Sequence, residues 1–434
     1  MSKQKDPFDG FFHRAQAWLP GKSHLLNTSP AKRLMRVLHW GMSNNYYTYQ
    51  QALEGKAGAH MPFNGETVSV LSAYDYLGLI GHPKIEEASI EAIRQYGTST
   101  GGVRLLTGTN ELHLESERKI AAFKGTEAAL TFSSGYLTNV AVITALFGKD
   151  DLVLADQFIH RSLTDGLLLA QVPFKHFKHN DAEHLEHLLQ QHRDSFRRIL
   201  ILVEGTYSMD GDNCPLPEII ELKKKHECFL MIDESHSFGV LGKNGRGVDE
   251  YYGVNPNDVS LYTASLSKTI PSNGGFVAGS KELIYYLQHG ANSSIFSAAL
   301  APAATAATSA ALEVIQDERW RLNQLEKNIA YFKTGLKNLG YTIREPSGHI
   351  VPLMLGSDEK AYALSSAMLE KGFLVSPIVH PAVSKGKARL RLCVSANYTK
   401  ELMDQSLAAF AKLSPRFSND SVELPKQNIR PKAS

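Results

Sequence analysis

From about Ser72 onward, short apolar runs alternate with longer segments whose apolar residues recur at helical spacing. The runs are Ala128–Phe132, Leu152–Ala155, Ile199–Val203, Phe229–Ile232, Leu261–Thr263 and Phe276–Ala278. Amphipathic segments such as Leu112–Phe123, Thr138–Phe147 and Leu216–Lys225 lie between them. This alternation predicts an α/β domain, a mostly parallel sheet with helices on both faces. An Ala-rich helical stretch, Pro302–Val314, and a long amphipathic helix, Leu322–Leu339, lead to a second lobe. That lobe reads as strands Ile350–Leu355, Leu374–Val379 and Leu390–Val394 with helix Ala361–Lys371 between them. The expected organisation is an N-terminal arm over 1–72, a large domain over 73–315, a smaller C-terminal α/β domain over 316–414 and a tail over 415–434. The arm carries Phe11, Phe12, Trp18, Leu34, Trp40, Tyr46 and Tyr47 among polar residues, a pattern suited to packing on a second subunit. The tail is polar and punctuated by prolines, which predicts disorder.

Length and composition narrow the class. A chain of 434 residues outgrows one simple core and suits two or three lobes. With 46 basic and 44 acidic residues the formal net charge is +2, and there is no dense basic run with interleaved aromatics, so nucleic acid is not an expected partner. Cys214, Cys228 and Cys393 are scattered and form no CxxC pair, which suits a reducing cytoplasm. No apolar run reaches the roughly 18 residues of a membrane span. Peripheral contact stays open, because a surface helix needs no such run.

In an open parallel sheet, ligands bind outside the carboxyl ends of the strands. The reactive residues that follow each strand-like run are therefore the candidates. Ser133-Ser134-Gly135-Tyr136 follows the first run; small residues at a strand-to-helix turn let backbone N–H groups face a phosphate, though an ordinary tight turn has the same look. His160 follows the second, where it can lie flat on an aromatic ring or serve as a hydrogen-bonded structural residue. Glu204-Gly205 and the loop through Ser208-Met209-Asp210-Gly211 follow the third, as a cofactor-side loop or a surface turn. Asp233-Glu234-Ser235-His236 follows the fourth. A carboxylate leaving a buried strand is costly unless paired, and a protonated pyridine nitrogen, a helix cap or an ion pair would each satisfy it. His236 can reach a ring oxygen. Lys268 follows the fifth; a lysine shielded from water beside a cofactor is a good imine former, whereas a lone lysine is usually a solvated charge. Ser265, three residues earlier, can bind the phosphate. Taken together, five strand ends supply a phosphate cup, a ring stacker, a ring-nitrogen carboxylate, a ring-oxygen donor and an imine lysine.

Those residues resemble a known family, the α-oxoamine synthases among the fold-type-I pyridoxal 5′-phosphate (PLP) transferases. The likeness spans about Ala73 to Lys412. It rests on Asp75-Tyr76-Leu77-Gly78-Leu79, Gly102-Val103-Arg104 through Thr107-Gly108-Thr109, Ser134-Gly135-Tyr136, Glu204-Gly205 through Gly211, Asp233 through His236, Thr263 through Lys268, Phe296-Ser297 and Arg389-Leu390-Arg391. The resemblance implies a decarboxylative condensation of a small L-α-amino acid with an acyl thioester, giving an α-amino ketone, CO2 and free thiol. It implies that Lys268 holds PLP as a Schiff base and is the acid/base at the substrate Cα. It further implies Asp233 on the pyridinium nitrogen, His236 on the ring oxygen, His160 over the ring, and Gly135, Tyr136 and Ser265 on the phosphate. Ser208 is implied as a cofactor-loop contact, and Ser297 as a phosphate ligand lent by the neighbouring subunit of a homodimer. Arg391 is implied as the clamp on the amino-acid carboxylate, with Arg104 a second substrate-binding residue. Gly274–Gly279 and Ser294–Ser297 look most like the serine-using branch. Glycine and alanine stay open, as does the thioester carrier, coenzyme A or an acyl carrier protein. Many members have Asn where this chain has Ala73-Tyr74-Asp75, so that residue's role does not carry over.

Other readings are weaker. An aminotransferase of the same fold would need no thioester. A non-catalytic partner subunit is expected to lack the lysine, and Lys268 is present. His184, His187 and His192 share a helix, but its apolar face and the missing HExxH or Cys pair favour a solvated surface over zinc. Pro20-Gly21-Lys22-Ser23 mimics the end of a P-loop, but Gln16 stands where the first Gly belongs.

Overall fold

The computed structural model describes residues 25–417. The expected arm before residue 25 and the expected tail beyond Phe417 lie outside the described residues. The remainder of the arm is more ordered than its irregular pattern predicts. Helix Ser29–Ser43 is followed by a hairpin of β1 (His60–Phe63) and β2 (Glu66–Val70). Its turn is Asn64-Gly65, with φ of 52° and 78°. Two positive φ values define the turn that best matches strand twist, and Asn-Gly is its favoured pair. The signal was present in the sequence, but the pairing that stabilises the hairpin is remote.

The main sheet contains β3 (Ala128–Phe132), β4 (Leu152–Asp156), β5 (Phe174–Phe177), β6 (Ile199–Glu204), β7 (Phe229–Asp233), β8 (Leu261–Ser265) and β9 (Gly275–Gly279). Their spatial order is β3-β9-β8-β7-β6-β4-β5. β9 runs antiparallel to both neighbours, while β8-β7-β6-β4-β5 are parallel. Every residue of β6, Ile-Leu-Ile-Leu-Val-Glu, is buried, the unbroken apolar run of a strand covered on both faces. β5 escaped the sequence reading because it is an edge strand with two exposed polar residues, Lys175 and His176.

The second lobe holds β10 (Ile350–Gly356), β11 (Phe373–Leu374), β12 (Ser376–Ile378) and β13 (Ala388–Cys393). The single strand expected over Leu374–Val379 is split at Val375. β11 joins β2 in parallel, and β12 joins β13 in an antiparallel sheet with β10. Val375 is fully buried between the two sheets. One continuous apolar core runs from Ala264 and Phe276 of the main sheet through Ala311 and Ile315 of helix Pro302–Asp317 to Leu353, Leu390 and Phe410 of the second lobe. The two lobes are therefore not independently cored. Among the described residues, no helix is long and apolar enough to cross a membrane.

Candidate functional site

The carboxyl ends of β3, β4, β6, β7 and β8 open on one hollow. Asp233 ends β7 and is 4% exposed. Its Oδ2 accepts from Asn139 Nδ2 at 2.7 Å, and its Oδ1 accepts from the Ser235 N–H at 2.9 Å. Asn139 is locked in turn: its Oδ1 accepts from the Thr263 hydroxyl at 2.7 Å, and its Nδ2 also donates to Ser162 Oγ at 2.9 Å. Asn139 is the residue that sequence reasoning missed. Its only signal is a buried amide in the mostly apolar helix Gly135–Leu146. The next residue, Glu234, faces away and receives Lys124 Nζ at 2.8 Å in a fully buried pair. Side chains alternate across a strand, so one of two adjacent carboxylates reaches the hollow while the other serves the interior.

Glu204 ends β6 beside Asp233 and is also buried. Burial, and then the charge on Asp233, hold its carboxyl well above the usual range, so it keeps its proton. His236 Nδ1 is hydrogen-bonded to the Tyr76 hydroxyl at 2.8 Å, which leaves Nε2 for a ligand. Burial, then the positive charges of Lys268 and Arg391, hold His236 well below the usual imidazole range, hence neutral.

The turn after β3 forms a cup. Ser134 caps helix Gly135–Leu146 through the Leu137 N–H at 3.1 Å. A Cβ at Gly135 would lie 2.6 Å from Ser265 Cβ, so only glycine lets the helix start come this close to the end of β8. Ser265 and Ser267 share a 2.8 Å hydroxyl contact. Tyr136 is half exposed and its hydroxyl donates to Asp165. His160 caps helix Arg161–Ala170 and its Nδ1 meets Ser162 Oγ at 2.8 Å. Gly135, His160, Asp233, His236, Ser265 and Lys268 all line one cavity of about 90 Å³. A second cavity of about 740 Å³ shares Lys268 with it and is walled by Tyr74, Ile80, Ile85, Ile90 and Pro271.

Lys268 Nζ lies 3.7 Å from the centroid of the Tyr74 ring. Arg391, on β13, reaches the same ring from the second lobe: its Nη2 donates to the Tyr74 hydroxyl at 2.6 Å. Its Nη1 donates to the Ser208 carbonyl at 3.4 Å, and its buried Nε has no partner. Ser208 thus contributes its backbone to Arg391. Neighbouring Arg389 donates to Asp210 Oδ1 and the Met209 carbonyl, both at 2.8 Å. Ser297 Oγ is 3.2 Å from Ser133 Oγ, close to the cup of its own subunit.

Arg104 departs from the expected substrate-binding role. Its Nη2 donates to Glu117 Oε2 at 3.0 Å and its Nη1 to the Thr131 hydroxyl at 3.0 Å. The guanidinium is spent on a buried carboxylate behind β3, and Arg104 lines neither cavity.

Residues 66–410 match the aminotransferase class I and II family. The 8-amino-7-oxononanoate synthase 1 of Bacillus velezensis is 40% identical over 364 residues, 84% of this chain and 93% of that protein. The protein of that name from Bacillus subtilis is 40% identical over 368 residues, again 84% and 93%. Among solved structures, the serine palmitoyltransferase of Sphingomonas wittichii has a TM-score of 0.86 at 29% identity, covering 91% of this chain and 98% of its own. The 8-amino-7-oxononanoate synthase of Francisella tularensis has a TM-score of 0.68 at 26% identity, covering 80% and 97%.

Proposed function

Because the chain belongs to the aminotransferase class I and II family, and within it to the α-oxoamine synthases, we propose that it joins alanine or serine to the acyl group of a thioester, with Lys268 as the base at the amino-acid Cα. The chain is a fold-type-I, PLP-dependent acyltransferase, and its reaction class is decarboxylative condensation.

The residues present fit PLP. The observation that carries the reading is the convergence of Asp233, neutral His236 and Lys268 on one cavity beside a helix N-terminus held open by glycine. When bound, PLP supplies an electron sink that stabilises a carbanion at the amino-acid Cα. Asp233, held by Asn139 and flanked by protonated Glu204, would stand against the protonated ring nitrogen. His236 offers Nε2 to the ring oxygen, because Tyr76 occupies Nδ1. His160, which lines the same cavity, would cover one face of the ring. The first N–H groups of helix Gly135–Leu146, those of Gly135 and Tyr136, have no partner within the helix and would hold the phosphate with the Ser265 hydroxyl. The Lys268 amine removes the Cα proton and later returns one after CO2 has left. Arg391 is the proposed clamp on the amino-acid carboxylate: its buried Nε has no partner in the structure, and a guanidinium fork suits two oxygens.

Both amino acids have support. The product named in the relatives, 8-amino-7-oxononanoate, has a methyl group on its amino carbon, which is the alanine skeleton. Serine palmitoyltransferases share the fold over nine-tenths of the chain and keep the serine reading in view. The apolar wall of Ile80, Ile85, Ile90 and Pro271 beside Lys268 supports an apolar acyl chain. The exposed Phe296, 80% accessible and next to Ser297, supports a homodimer with a shared site.

The test pairs glycine, alanine and serine with acyl-coenzyme A of short to long chain and with acyl carrier protein. The expected result is free thiol and CO2 in equal amounts for one pair, abolished by Lys268→Ala. Thiol without CO2, or equal turnover in the Lys268→Ala protein, would overturn the reading.

A further inference from the structure

Tyr74 is not among the residues whose role a resemblance could supply, yet it stands at the centre of the site. Its ring face lies 3.7 Å from Lys268 Nζ, and the Arg391 guanidinium carbon is 5.0 Å from the same centroid. Its hydroxyl accepts from Arg391 Nη2 at 2.6 Å. The edge of the ring meets the His236 ring, with centroids 5.7 Å apart.

The backbone under Tyr74 is pinned. Asp75 Oδ1 accepts from the N–H groups of Leu79 at 2.6 Å and Ile80 at 3.2 Å. The Asp75 carbonyl accepts from the Ser395 hydroxyl at 2.6 Å, and Tyr76 is fully buried against His236. These bonds tether the backbone directly after the ring.

This placement has two consequences, both resting on the function proposed above. An amino acid bound there has its Cα at Lys268 and its carboxylate at Arg391. The Tyr74 hydroxyl occupies one terminal N–H of the guanidinium and leaves the buried Nε, which has no partner, as a donor still available to a carboxylate. The ring meanwhile stands beside Lys268 as a wall of the larger cavity, against which the side chain of a bound amino acid would press.

We infer that Tyr74 is a positioning and specificity-determining residue: its hydroxyl orients Arg391 for the amino-acid carboxylate, and its ring restricts the site to small amino acids. The two roles separate in two variants. Tyr74→Phe keeps the ring and removes the hydroxyl. Tyr74→Ala removes the wall.

The experiment titrates PLP-loaded protein with alanine, serine, 2-aminobutyrate and valine and follows the absorbance of bound PLP, a binding readout independent of condensation. In Tyr74→Phe, the Kd for alanine and serine rises about 10-fold or more, as loss of a hydrogen bond to a charged group predicts, and the order of preference is kept. In Tyr74→Ala, the ratio of valine to alanine affinity rises about 10-fold or more. An unchanged Kd in Tyr74→Phe overturns the orienting role, and an unchanged order of preference in Tyr74→Ala overturns the steric one. A wild-type protein that binds none of the four overturns the proposed function together with this inference.

Discussion

Asp233 is useful because its neighbours make a carboxylate tolerable at the end of a buried strand. Asn139 supplies a 2.7 Å donor, the Ser235 N–H supplies another, and Glu204 stays protonated so that like charges do not compete. Removing the Asn139 amide leaves both Asp233 and Thr263 short of a partner. A net contribution of about 1.5–3 kcal/mol is usual for a hydrogen bond to a charged group. Asn139→Ala is therefore expected to weaken PLP retention about 10-fold or more, measured as cofactor left on the protein after dialysis. Asn139→Asp keeps the shape but sets a second carboxylate against Asp233, and a larger loss is expected. Retention equal to wild type in both variants would contradict this account. Asp233 itself was legible from its place after a strand. Asn139 was not, because nothing local tells an amide that orients a carboxylate from one that caps or faces solvent.

At the scale of elements, the site is built where strand ends meet helix starts, and glycine decides how closely they meet. Gly135 packs on Ser265, and a Cβ at Gly275 would come within 2.6 Å of Gly135 Cα. Gly135→Ala must push the helix start away from β8. Overpacking of this kind costs about 1–3 kcal/mol. The expected outcome is a lower melting temperature together with weaker binding of PLP, followed by equilibrium titration. Unaltered affinity for PLP would mean that the cup does not depend on this contact. Strand positions were legible because an apolar run in a parallel sheet is a local signal. The division of Leu374–Val379 into β11 and β12 was not, since its two halves pair with β2 and β13, which lie far apart in the chain.

The whole molecule holds the site by locking two lobes together. Asp210, in the loop after β6, accepts from Arg389 and from Arg344 Nε, each at 2.8 Å, while the Ser208 and Met209 carbonyls receive Arg391 and Arg389. The continuous apolar core beneath the lobes fixes the distance between Lys268 and Arg391. The proposed dimer belongs to this scale as well. Phe296→Asp is expected to shift sedimentation from dimer to monomer and to reduce PLP occupancy, since it disturbs the segment that holds Ser297 3.2 Å from Ser133 at the cup. A variant that stays dimeric and fully loaded would place the interface elsewhere.

The alternation of short apolar runs with amphipathic helices, and the order in which a cup, a histidine, a carboxylate and a lysine follow those runs, were determined by the sequence alone. Both are local: periodicity sets each element, and position just after a strand sets which end of the sheet a residue occupies. Direction and partnership were decided only by tertiary structure. Which amide steadies Asp233, why Arg104 is absorbed by Glu117, and how Tyr74 meets a guanidinium 317 residues away all depend on surfaces that come together on folding. Polar side chains settle on whichever partner burial leaves them, and that partner is not written next to them in the chain.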